Sequence, residues 1–247
     1  MKITFLGTSH GVPSPTRYCS ATLLEVEDRA YLIDAGAPVA DLLIRLGVPF
    51  EKLKAVFTTH IHDDHTAGLP ALCSLANWYY KESDFDIYMT EEEGIRIFRQ
   101  MVQITDRTLD ERRLRFHLAS PGAFYDDGAL RVTAIPTRHM EEVNGTSYAY
   151  LIESRGRRIL FTGDLHGEDA ADFPAVASQE PTDLIVCEMA HFGPETIFPR
   201  LAACPVKQVL FNHVAHDYEA SMAAIRAAAG QYPFEVRAVE DGDVVEL

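Results

Sequence analysis

The residues best equipped to do chemistry lie in one short stretch, Thr58-Thr59-His60-Ile61-His62-Asp63-Asp64-His65-Thr66-Ala67-Gly68-Leu69-Pro70. Imidazole and carboxylate are ligands of zinc and related divalent ions, and His60, His62, Asp64 and His65 fall within six residues of one another. The stretch begins where the apolar run Ala55-Val56-Phe57 ends, so it occupies a loop at the C-terminal end of a buried strand. Alternation puts His60 and His62 on one side, and Asp64 and His65 follow as the chain turns. Four such groups can bind two adjacent metal ions, and paired metals promote hydrolysis by activating water and neutralising charge that develops on the substrate.

The elements that must position this loop follow from hydrophobic periodicity. Apolar and β-branched runs predict strands at Ile3–Leu6, Ala21–Val26 and Ala30–Ile33, a helix at Val39–Leu46 that stops at Gly47, and a strand at Ala55–Thr58. Beyond the loop, helices are expected at Ala71–Tyr80 and Glu91–Thr105. Strands are expected at Phe85–Met89, Arg113–Leu118, Ala129–Ile135, Ser147–Glu153 and Arg158–Phe161. The second half then alternates: helix Ala170–Ala177, strand Leu184–Cys187, helix Glu195–Ala203, strand Gln208–Phe211, helix Tyr218–Ala229, strand Phe234–Ala238 and a last strand Val244–Leu247. Consecutive strands followed by this interleaving imply mixed sheets covered by helices. No Gly/Ser/Pro-rich linker or repeat divides the 247 residues, so a single domain over residues 1–247 is expected.

Composition narrows the partners. A 47% hydrophobic, 24% charged chain has ample core, and 22 Lys+Arg against 37 Asp+Glu give a formal charge of −15. Affinity for nucleic acid comes largely from cations neutralising phosphates, so a long polyanion is a poor partner, and an anionic membrane surface is disfavoured for the same reason. A small anionic substrate is expected despite the −15 charge, drawn by metal ions that the histidine loop could hold, and a homodimer is left open. The opening Met1-Lys2-Ile3-Thr4-Phe5-Leu6-Gly7 enters a strand pattern without a signal-peptide core, and no apolar run approaches the roughly 18 residues of a membrane span, so a cytoplasmic protein is expected. Cys19, Cys73, Cys187 and Cys204 are widely separated and indicate neither a thiolate zinc site nor a disulfide framework.

The pattern His-x-His-x-Asp-His resembles the signature of the metallo-β-lactamase superfamily, and further segments match that family in order. Leu32-Ile33-Asp34-Ala35-Gly36 is similar to its first motif, whose aspartate steadies the metal loop. Arg138-His139-Met140, Phe161-Thr162-Gly163-Asp164 and Phe211-Asn212-His213 are similar to the three later motifs, each following a predicted strand. The resemblance implies an α+β fold, an αββα sandwich of two mixed β-sheets flanked by helices. It also implies one metal held by His60, His62 and His139, a second by Asp64, His65 and His213, and Asp164 between them. Five neutral imidazoles and two carboxylates would leave two divalent cations largely uncompensated, which favours an anionic substrate. The donor set suits two Zn2+ ions, with Mn2+ or Fe2+ allowed by the carboxylates.

Within the superfamily, Phe5-Leu6-Gly7-Thr8-Ser9 with Pro13 and Arg17, and Cys187-Glu188-Met189-Ala190-His191, are similar to the ribonuclease Z and phosphoribosyl cyclic phosphodiesterase branch. That resemblance implies Glu188 orienting His191 as a proton donor, although Cys187 replaces the family's histidine. His10, His166 and His216 are candidates to line the pocket and bind phosphate, or are exposed loop residues. Two departures remove positive charge: only a hairpin separates His139 from Asp164, where precursor-tRNA processing enzymes carry a basic arm, and Asp217 stands where they commonly have arginine. The expected activity is a dinuclear phosphodiesterase for small or cyclic diesters, in which a hydroxide between the metals attacks phosphorus, Asp64 steers it and His191 protonates the leaving oxygen. The alternatives are a lactone, thioester or ester hydrolase, with Trp78, Tyr79 and Tyr80 as an apolar pocket, a tRNA 3′-processing endonuclease, and a non-catalytic metal-binding domain.

Overall fold

The computed structural model describes the chain except for Pro13, Glu168, His216, Asp217 and Ala229. It folds as two compact units: Met1–Gly7, Gly11–Ala119 and Asp241–Glu246 form the first, and Thr8–His10, Ser120–Glu240 and Leu247 the second.

The first unit is organised on a sheet of β1 (Lys2–Gly7), β2 (Ala21–Val26), β3 (Arg29–Ile33), β4 (Leu53–Phe57), β5 (Phe85–Met89), β6 (Leu114–Leu118) and, from the end of the chain, β14 (Val244–Glu246). Their order is β14-β1-β2-β3-β4-β5-β6. The strands from β14 to β3 pair antiparallel, and those from β3 to β6 parallel. Parallel neighbours need crossovers, which are α1 (Val39–Arg45), α2 (Asp63–Thr66) with α3 (Leu69–Trp78), and α4 (Glu92–Asp106). Val39 and Leu43, Leu69 and Leu72, and Val102 from these helices bury with Leu32, Val56, Ile87 and Leu114 of the sheet. Each large side chain so buried contributes about 1.5–3 kcal/mol, which holds the crossovers on the sheet. Because β3 and β4 run parallel, the segments that leave their C-terminal ends emerge at one edge, the first with Asp34 and the second with His60 to His65.

The second unit has the same plan on β7 (Gly122–Asp126), β8 (Arg131–Thr137), β9 (Ser147–Ser154), β10 (Arg157–Phe161), β11 (Thr182–Met189), β12 (Val206–Val214) and β13 (Glu235–Ala238). Here β7 to β10 pair antiparallel and β10 to β13 parallel, in the order β13-β12-β11-β10-β9-β8-β7. α5 (Val176–Gln179), α6 (Pro194–Ala202) and α7 (Tyr218–Ala228) complete it. Ile197, Phe198 and Leu201 of α6 and Ile225 of α7 bury with Leu160, Ile185, Val209 and Phe211 of the sheet. β8, β10, β11 and β12 share one direction, so His139, Asp164, His191 and His213 all sit at the edge where these strands end.

Two mixed seven-stranded sheets with flanking helices are the elements expected from the motifs. Three local readings differ. The helix expected over Ala170–Ala177 is confined to α5, after turns in which Ala170 has φ of 45°. Pro174 has no N–H to donate and disfavours a helical Phe173, which stops the periodic run from closing into a helix. Strand β7 was not expected; its Gly122-Ala123 start carries little β signal, and it is held by pairing with β8. Trp78, Tyr79 and Tyr80 form no apolar pocket: Tyr79 is 79% exposed, and Tyr80 stacks on Phe50 with centroids 4.1 Å apart. Among the described residues no helix is long and apolar enough to cross a membrane.

Candidate metal centre

In the first unit the sequence loop becomes a set of oriented donors. Asp34, at the end of β3, is buried and accepts hydrogen bonds from the Thr59 N–H (2.7 Å) and the Thr59 hydroxyl (3.0 Å). His65 Nδ1 lies 2.8 Å from the same carboxylate at Oδ2. A carboxylate can only accept, so His65 carries its proton on Nδ1 and presents Nε2 as a ligand atom, 3.3 Å from Asp64 Oδ2. Thr59 Oγ1 is also 3.0 Å from His60 Nδ1, and His60 Nε2 stands 2.9 Å from His62 Nδ1. Asp34 therefore acts through the loop and not as a donor to an ion. Thr59 went unnoticed in the sequence because a threonine at a strand end carries no distinctive signal.

Backbone bonds lock this loop to the segment after β3: Ala35 N–H donates to His65 O and Gly68 N–H to Ala35 O, both at 2.8 Å. Gly36 permits the approach, since a Cβ there would stand 2.1 Å from the Asp64 carbonyl oxygen and 2.7 Å from Cys19 Cβ. Gly36→Ala is thus expected to displace the Asp64 backbone and cost about 1–3 kcal/mol. The denaturation midpoint measures this, and an unchanged midpoint would show a compliant loop.

In the second unit Asp164 is buried, with its Oδ2 at 3.2 Å from His213 Nε2 and 3.7 Å from His139 Nε2. Donor atoms of His139, Asp164 and His191 all lie within 4.8 Å of one another. Two ligands on one tetrahedral ion with bonds near 2.1 Å stand about 3.4 Å apart, so the donor pairs of each unit have the bite and the chemistry to hold divalent metal. His213 is left-handed, with φ of 51°, beside an irregularity in the β11–β12 register at Glu188 and Met189. Asp172, which sequence reasoning did not single out, accepts the Arg138 N–H at 2.6 Å and the His166 N–H at 2.9 Å. It thereby braces the segments that carry His139 and Asp164.

Glu188 is buried, and its carboxylate accepts the N–H groups of Leu165 (2.7 Å), Ala190 (2.8 Å) and His191 (3.1 Å). Both of its oxygens lie 2.9 Å from His191 Nδ1. Burial, with the Glu188 charge beside it, pushes the Cys187 thiol well up, so Cys187 is an inert core residue. The His191 ring is 4.7 Å from that of His139 and 6.2 Å from that of His213.

Of the proposed pocket residues, His10 lies with its ring 6.4 Å from that of His213, held there by a parallel bridge between Ser9 and Val214. Among the described residues, the donor cluster of this unit does not include His166. His216 and Asp217 fall outside the described residues. His117 pairs with Asp86 at 2.7 Å in the first unit and takes no part in the donor set.

Residues 1–232 match a family model described as Anti-Pycsar protein Apyc1. Ribonuclease BN of Cronobacter sakazakii is 32% identical over 160 residues, 64% of this chain and 51% of that protein, so the chain spans about half the length of the curated relative. Two solved structures share the fold with a TM-score of 0.78 and 22% identity, covering 100% of this chain and 99% of each: human tRNase Z, short form, and the metallo-β-lactamase fold protein YhfI from Bacillus subtilis.

Proposed function

The chain belongs to the anti-Pycsar protein Apyc1 family, with a metallo-β-lactamase fold, and from that premise we propose that it is a dinuclear metal-dependent phosphodiesterase acting on a small or cyclic phosphodiester. The observation that carries the reading is the clamp of Glu188 on His191. Three backbone N–H groups fix the carboxylate, and both oxygens engage Nδ1, which makes Nε2 the nitrogen for proton transfer beside His139 and Asp164. The proposed ligands are His60, His62, Asp64, His65, His139, Asp164 and His213, with Zn2+ as the ion best suited to the imidazole-rich set. Metal bound by them would supply water activation and neutralisation of charge on the phosphoryl oxygens. Asp64 would orient the attacking water, Asp34 holds His65 in the ligand tautomer, and His191 delivers a proton to the leaving oxygen.

Substrate size follows from charge. The chain carries −15 overall, and between His139 and Asp164 it has only a single-turn 3-10 helix at Glu141–Val143 and the β9–β10 hairpin. The hairpin's cations, Arg155, Arg157 and Arg158, lie at the end of the sheet opposite the one from which His139 and Asp164 emerge, so neither element places beside the candidate site the basic surface that a precursor tRNA needs. The test is one panel on purified protein at physiological salt: metal content, cyclic nucleotides, bis(p-nitrophenyl) phosphate, p-nitrophenyl acetate and precursor tRNA. The expected outcome is about two divalent ions per chain, hydrolysis of the small diesters, and negligible cleavage of the acetate and the tRNA. Site-specific tRNA 3′ cleavage, preference for the acetate, or at most one ion under metal-replete conditions would overturn it.

A further inference from the structure

We propose that the second unit carries a separate binding site for a phosphate group, built from Arg131, Arg155, Arg157, Arg158 and Lys207 at the sheet edge remote from His139, Asp164 and His213. β10, β11 and β12 run parallel, so Arg157 and Arg158, Asp183, and Lys207 lie where these strands begin, while the histidine and aspartate segments leave where they end. Along β12 the path from Lys207 to His213 is about 20 Å at the rise of an extended strand. The two edges cannot share a small ligand.

A cavity of about 600 Å³ opens at the remote edge, lined by Asp126 and residues 128–131 of the β7–β8 turn, residues 153–158 of the β9–β10 turn, and residues 181–183 and Lys207. Five cations meet Asp126, Glu153 and Asp183 in its lining and Glu180, which pairs with Arg158 beside it, a local excess of one positive charge in a chain of −15. Asp183 is itself engaged: it accepts from Arg157 Nη1 (3.2 Å), Lys207 Nζ (2.5 Å) and the Arg158 N–H (2.9 Å). It gathers the cations around the cavity and has little left to repel an anion with.

Arg158 supplies the second observation. Its side chain is 14% exposed and pairs with Glu180, yet its Nε is buried with no hydrogen-bond partner. A buried donor lacking an acceptor costs about 1–3 kcal/mol, and because solvent does not reach this Nε, an oxyanion in the cavity would satisfy it only as Arg158 turns from Glu180 toward the ligand. The walls are preformed. Asp127 Oδ1 accepts the Ala129 and Leu130 N–H groups, each at 3.0 Å, and Ser154 Oγ donates to Ala129 O at 2.7 Å, tying one turn to the other. Guanidinium forks arriving from separate turns suit a tetrahedral oxyanion with several acceptor oxygens, which is a phosphate group either free or on a nucleotide.

The proposal stands apart from the hydrolytic reading and is tested without activity. Zinc-loaded, 15N-labelled protein is titrated with sodium phosphate, with adenosine 5′-monophosphate, and with sodium chloride at matched ionic strength, following backbone amides. Saturable shifts are expected at residues 128–131, 155–158, 182–183 and 207 with the phosphate ligands and not with chloride. In an Arg131→Glu/Arg155→Glu variant, whose dispersed spectrum shows it to be folded, the dissociation constant read at residues 182–183 should rise about tenfold or more. Phosphate at the metal ligands is read independently from the amides of residues 60–65 and 213 and should persist in the variant. Tighter binding of the nucleotide than of phosphate would identify a nucleotide site, and equal binding a free-phosphate site. Identical shifts with chloride, silent amides, or a double variant that binds as before would overturn the proposal.

Discussion

His191→Ala is expected to lower turnover by about 10²–10⁴-fold on diesters with alkoxide leaving groups, and by far less on p-nitrophenyl esters, whose leaving group departs without a proton. The asymmetry follows from where Glu188 holds the ring. With Nδ1 bound to both carboxylate oxygens at 2.9 Å, the proton of an imidazolium can leave only through Nε2. Glu188→Gln removes the charge that stabilises the imidazolium and also sets an NH₂ against the Leu165 N–H or against the Ala190 and His191 N–H groups, so it should reproduce the leaving-group dependence together with a lowered denaturation midpoint. His191 also shares a donor cluster with His139 and Asp164, and this prompts the rival assignment as a ligand. Metal content separates the two: a proton donor can be lost with the ions retained, whereas equal loss on both substrate classes with reduced metal would make His191 a ligand.

The parts of the molecule that were legible beforehand are those governed by local pattern. Strands Ala21–Val26 and Phe85–Met89 have the bounds expected from their apolar and β-branched residues, and the histidine loop lies immediately beyond β4, where burial of a parallel strand leaves the continuous apolar run Ala55-Val56-Phe57. The parts that were not legible depend on contacts between segments distant in sequence. Thr59 meets Asp34 across 25 residues and Asp172 meets Arg138 across 34. Neither Thr59 nor Asp172 stands out in its own neighbourhood. Backbone conformation was equally hidden: Asp34 and His213 are left-handed, with φ of 60° and 51°. Such strain costs about 1–3 kcal/mol per residue and persists only where surrounding bonds over-determine the geometry, as at functional sites. Here the register irregularity beside His213 and the hydrogen bonds to Asp34 supply that constraint.

Asp34 gives the second large effect, and two substitutions divide its causes. Asp34→Ala removes the acceptor for the Thr59 N–H, the Thr59 hydroxyl and His65 Nδ1, all buried, and each donor left unsatisfied costs about 1–3 kcal/mol. It also places alanine at a φ of 60°, so a stability loss of several kcal/mol is expected together with a fall in metal affinity of about 10–100-fold. Asp34→Asn behaves differently. Asparagine tolerates the left-handed conformation, and its amide oxygen can still accept from Thr59, so the fold should be nearly as stable as the parent. The amide NH₂ must then face His65 Nδ1, which forces the histidine proton onto Nε2, the atom that lies 3.3 Å from Asp64 Oδ2. A protonated nitrogen cannot coordinate. Asp34→Asn should therefore lose metal affinity on the same scale as Asp34→Ala while its denaturation midpoint stays close to the parent's. Metal titration alongside chemical denaturation decides the matter: full affinity in the asparagine variant would show that Asp34 serves the backbone alone and has no part in selecting the His65 tautomer.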